Sequence, residues 1–80
     1  MNIINKQVAI TAMGFGRDMM AIPRRMEFGG REVRFIGSGQ HTVIRQNKKM
    51  SQIVTMSDGF QYFRLRSDNH GGSWMLLSVS

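Results

Sequence analysis

Tyr62, Arg64 and Arg66 recur at every second position of the run Phe60–Arg66. In an extended strand alternate residues share a face. These three therefore offer one aromatic ring and two guanidinium groups to a single surface, while Phe63 and Leu65 point the other way. Guanidinium groups meet phosphates, and an aromatic ring stacks on an unpaired base. The chemistry expected is recognition of a polyanion, DNA or RNA, through its backbone or its single strands. Arg34 and Arg45 extend the same positive field if their strands pair suitably, as do Arg31, Lys48 and Lys49. The same strand also reads as a plain solvated face, its long Arg stems lying over the sheet with Tyr62 packed among them.

No other pattern in the chain assembles a reaction centre. Gly14-Phe15-Gly16 lacks the third Gly and the following helix of a dinucleotide site, and Gly37-Ser38-Gly39 lacks the Lys of a phosphate loop. Both read as turns. His41 and His70 stand alone, without carboxylates at ligand spacing, so neither a metal nor another cofactor is expected. No Ser sits in a nucleophile elbow. The expectation is a non-enzymatic protein with no catalytic residues.

The charge balance agrees with the binding reading. Eleven Lys and Arg against five Asp and Glu give a formal charge of +6, which favours a polyanionic partner. A membrane partner is not expected, since no apolar run approaches the ~18 residues of a span. Cys is absent, so disulfides and thiolate metal sites are excluded. Met1–Lys6 lacks the charged start and long apolar stretch of a secretion signal, and the expected location is the cytoplasm. Eighty residues make one domain, 1–80. The eight Met read as filling for a small, irregular core.

The elements that would position these groups are short strands. Ile22–Phe28, Gly29-Gly30 and Arg31–Phe35 form a hairpin around a two-residue turn. Its register opposes Met26 to Val33 and Glu27 to Glu32. The two acids repel, and Arg25 and Arg34 stand ready to offset them, so this is a solvated face and not a catalytic dyad. Pro23 cannot donate to a ladder, so its strand should lie at an edge or bulge there. Phe60–Arg66 and Trp74–Val79 form a second hairpin around Asp68–Gly72. Trp74 and Leu76 share one face of its last strand, and Met75, Leu77 and Val79 the other. Gln7–Met13, His41–Gln46 and Ser51–Met56 complete the set, with breaks at Gly14–Asp18, Gly37–Gly39 and Ser57–Gly59. Residues 47–56 also fit helical spacing, but their β-branched residues favour a strand. The fold expected is all-β, a single antiparallel meander of about seven short strands curled into a small barrel or half-barrel.

The two hairpins resemble a short bacterial domain of unknown function. Its pattern opens Pro-x-x-Phe-x-Trp-x-Gly-Arg-x-Tyr-x-Val and later carries Tyr-Phe-Arg-Val-Arg-x-Asp before a Gly and Trp-x-Leu. Pro23, Met26, Phe28, Gly30, Arg31, Val33 and Phe35 occupy the first part, with Met26, Phe28 and Val33 in place of aromatic residues. Tyr62, Phe63, Arg64, Leu65, Arg66, Asp68, Gly72, Trp74 and Leu76 occupy the second. Members of that family sometimes accompany proteins similar to lesion-bypass DNA polymerases, so the resemblance implies a setting near nucleic acid and assigns no activity. The function expected is a small basic binding module for nucleic acid, centred on Tyr62, Arg64 and Arg66. The alternative is a structural or protein-interaction domain, homo-oligomeric through an edge strand or through the apolar last strand.

Overall fold

The computed structural model describes residues 2–16, 20–68 and 73–80. Seven strands account for most of them: β1 (Asn2–Phe15), β2 (Ala21–Phe28), β3 (Arg31–Arg34), β4 (Ile36–Gln46), β5 (Lys49–Ser57), β6 (Tyr62–Asp68) and β7 (Ser73–Val79). Every pair is antiparallel, in the spatial order β3-β2-β1-β7-β6-β5-β4. There is no helix among the described residues, and so none long and apolar enough to cross a membrane.

Two long runs of chain make the sheet curl. The first half of β1, Asn2–Val8, pairs with β7, and the second half, Ala9–Phe15, pairs with β2. At the other side β3 passes into β4 through a single residue, Phe35. Both edges of the sheet are therefore parts of one run, and the sheet closes into a half-barrel around that corner. Phe35 N donates to Arg24 O at 2.9 Å and the Arg24 guanidinium reaches Gly37 O at 3.0 Å, tying β2 to the start of β4.

The core fills the concave side. Met26, Val54, Met56, Leu65 and Leu76 are wholly enclosed. The Phe35 and Phe63 rings meet in a tilted pair, centroids 5.5 Å apart, an arrangement the ring quadrupole favours. Met26 and Met56 thus fill the core as composition suggests, whereas Met13 and Met75 are exposed. Phe63 and Leu65 are buried and Tyr62, Arg64 and Arg66 exposed, as the alternation requires.

Several boundaries differ from the sequence reading, each for a physical reason. β1 runs through Gly14 to Phe15, because β2 gives it partners as far as Ala21. Gly37-Ser38-Gly39 is not a break but a bulge within β4, lying between the Ile36↔Ser57 and Gln40↔Thr55 pairs. The run 49–57 is a strand, β5. Pro23 lies on an interior strand, at a register shift where Met13 and Ala12 face Pro23 and Arg25, so the bulge and not the edge accommodates it. A shift between the Arg64↔Ser78 and Leu65↔Leu76 pairs passes over Leu77. That shift turns Val79 into the core and separates it from Met75. Arg17 and Asp18 of the first break, and Asn69–Gly72 with His70, fall outside the described residues.

The β2–β3 hairpin has the predicted register, with Met26↔Val33 and Glu27↔Glu32. Glu32 sits 3.0 Å from Arg34 Nε and 3.8 Å from the Arg25 guanidinium, which offsets the opposed acids. Gly29 and Gly30 adopt φ of 60° and 75°, as a two-residue turn with the twist of its strands demands. No atom lies within 4 Å of a side chain placed at Gly30. Gly30→Val is therefore expected to lose only the backbone strain of a β-branched residue at positive φ, about 1–2 kcal/mol. Thermal denaturation checks this, and an unchanged midpoint would refute it.

Candidate nucleic-acid interface

The central strand of the candidate surface is held on both sides. β6 pairs with β5 through Ser57↔Tyr62, Thr55↔Arg64 and Ile53↔Arg66, and with β7 through Arg64↔Ser78 and Arg66↔Met75. Its alternation is strict: Phe63, Leu65 and Ser67 are buried, and Tyr62, Arg64, Arg66 and Asp68 exposed. The outward neighbours on β5 are mostly small, so they do not cover the arginines. Tyr62 is 60% exposed, leaving its ring free to stack.

The two arginines differ in their surroundings. Arg66 Nε is 3.2 Å from Asp68 Oδ1, and Ser51 Oγ donates to the same oxygen at 2.8 Å. The Ser51 hydroxyl, together with Arg66, holds the Asp68 carboxyl below its ordinary range. Asp68 thus stays ionised and orients Arg66 along the strand. Arg64 has no acidic partner among the described residues. Its charge is the one most available to a phosphate.

Beside Tyr62 the expected break at Ser57–Gly59 is a turn braced by its own side chains. Asp58 Oδ1 accepts from the backbone N–H of Phe60 and of Gln61, both at 2.8 Å, and Gly59 N donates to Ser57 Oγ at 3.0 Å. These amides, Gln61 first, hold the Asp58 carboxyl below its ordinary range. Asp58 N donates to Gln61 O at 3.3 Å across the turn, and mutual backbone bonds between Tyr62 and Ser80, 2.7 and 2.9 Å long, fasten the start of β6 to the residue that follows β7. The result is a braced turn with Phe60 at its apex, 94% exposed. The available signal was Ser57-Asp58-Gly59, whose Asp side chain commonly bonds the backbone two residues on.

Of the five residues singled out by sequence, three come together and two do not. Tyr62, Arg64 and Arg66 form one exposed line. Arg34 is on β3, bonded to Glu32, in a shallow depression lined also by Arg31, Asp58 and Phe60. It therefore approaches the line only through Phe60. Arg45 is on the far face of its sheet: it pairs with Met50, in the same alternate set as Val43↔Gln52 and His41↔Val54, whose β5 partners are buried. Arg31, without an acidic partner among the described residues, is the better addition. No group of His, Asp or Glu is placed to hold a metal ion among the described residues. His41 bonds instead to Ser38 O and to Gln52.

No family model matches the chain, and no curated protein or solved structure does so.

Proposed function

We propose that this protein is a small basic binding module, without catalytic activity, for single-stranded nucleic acid. The observation that carries the reading is the exposed line Tyr62, Arg64, Arg66 on a strand whose other face is locked into the core. Phe60 offers a second ring beside it, and Arg31 and Arg34 a continuation beyond. Rings spaced among cations suit a strand whose bases are free to stack, while a duplex hides those faces. The resemblance of the hairpins to a bacterial domain found near polymerase-like proteins points the same way, and a cytoplasmic setting accompanies it.

Titration of labelled single-stranded DNA and RNA, against duplexes, tests the proposal. With three to four phosphates engaged, log K should fall against log salt with a slope of about −2 to −3. Arg64→Ala and Arg66→Ala should each weaken binding and flatten the slope by about 0.7. Tyr62→Ala should cost about 1–3 kcal/mol and leave the slope alone, because stacking releases no counterions. Binding no stronger than that of an unrelated protein of equal charge would overturn the reading.

A further inference from the structure

The two edges of the sheet are defended unequally. β3 is four residues long and three of them are charged, a common protection against further pairing. β4 is eleven residues long and carries one charge, Arg45. Val43 and Ile44, on its opposite faces, are 43% and 42% exposed. The hairpin to β5 turns at Asn47-Lys48, with φ of 49° and 68°, and is closed by the Gln46↔Lys49 pair. In an antiparallel ladder bonded and non-bonded pairs alternate. Gln46, Ile44 and Thr42 thus direct their backbone groups to β5, and Arg45, Val43 and His41 direct theirs outward. Beyond the bulge, these outward groups have no hydrogen-bond partner among the described residues.

We infer that β4 is the site where two copies of this chain associate, edge to edge and antiparallel, about a two-fold axis through Val43. That register places Val43 against Val43, His41 against Arg45, Thr42 against Ile44 and Gln40 against Gln46. The three outward residues of each copy then fall opposite one another and exchange about six backbone hydrogen bonds. β-branched residues meet on both faces, a favoured combination across strands. No arginine faces an arginine; sliding the strands to bring Arg45 against Arg45 would set like charges together and remove the Val43 pair. Self-complementarity of this kind is what an isologous interface requires. Each copy carries +6, so association strengthens as salt screens the repulsion, opposite to the trend for nucleic acid.

Sedimentation velocity over a range of concentration and salt tests this, with no nucleic acid present. The expected result is a reversible dimer favoured at moderate salt. Val43→Pro removes only an outward N–H and should give a monomer with the wild-type circular dichroism. The chain has no Cys, so Val43→Cys introduces a single thiol. A short bis-maleimide should link Val43→Cys into dimers and leave Gln7→Cys, on β1, monomeric. A chain that stays monomeric throughout, or a dimer that survives Val43→Pro and links through Gln7→Cys as readily, would overturn the inference.

Discussion

Leu65→Ala is expected to lower the melting temperature by at least about 10 °C, while Arg64→Ala, one residue away, should shift it by no more than about 2 °C. Leu65 is wholly buried at the centre of the row Val54↔Leu65↔Leu76. Its neighbours on all three strands belong to the same sheet and are fixed by backbone bonds, so they cannot collapse into the space left behind. Leu-to-Ala changes in such settings cost about 2–5 kcal/mol. A chain of this size commands only about 4–12 kcal/mol in total. The Arg64 side chain lies on the exposed face with no acidic partner among the described residues, so its truncation removes little that holds the fold. Calorimetry or thermal circular dichroism checks the pair. A larger loss for Arg64→Ala than for Leu65→Ala would mean that the faces of β6 are assigned the wrong way round, and with them the binding surface.

Gly39→Ala should be as damaging, by a different route. Gly39 has φ of 68°, and a Cβ there would fall 2.5 Å from Met56 Sδ and 2.5 Å from Thr55 O. The sulfur can swing aside. The carbonyl oxygen cannot, because it belongs to β5, which is paired on both of its sides. The methyl group must then push β4 away from β5 in addition to bearing the left-handed strain of about 1–2 kcal/mol. Gly37 provides the comparison: its φ is 67° but no atom lies within 4 Å of its missing Cβ. Gly37→Ala should therefore show the strain alone, and Gly39→Ala at least about twice that loss. Urea denaturation of both variants measures the difference, and equal midpoints would place the bulge elsewhere.

The parts of this fold legible in the sequence are those fixed by neighbours along the chain. Gly29-Gly30 set one hairpin because only positive φ closes a two-residue turn, and Phe63 and Leu65 marked the inner face of β6 by simple alternation. The misreadings arise where a strand's partner decides. Gly37 and Gly39 signalled positive φ correctly, but a turn and a bulge share that signal. Whether the chain reverses or resumes depended on β5 lying alongside. Val79 counts by alternation with Met75, yet the shift at Leu77 takes it into the core, and only the pairing with β6 creates that shift. For the candidate site the same division holds. The line Tyr62, Arg64, Arg66 was readable because it lies on one strand. Arg45 was misplaced because its face depends on which β5 residues are buried. Phe60 looked like the first residue of the strand, whereas Asp58 folds it into a turn.

The pairing of the first strand with the last has a kinetic meaning. Asn2 faces Val79 and Val8 faces Trp74, so these contacts span about seventy positions, and the entropy of bringing such distant segments together must be met before the contacts reward it. The hairpins β2–β3, β4–β5 and β5–β6 have no such delay, and neither does the second half of β1 with β2. Folding should accordingly proceed as two locally built ribbons, β1–β3 and β4–β7, whose joining is the slow step. Until Trp74 arrives beside it, Val8 and the half of β1 that precedes it present an open strand, which makes the interval before closure the time when this chain is most exposed to aggregation.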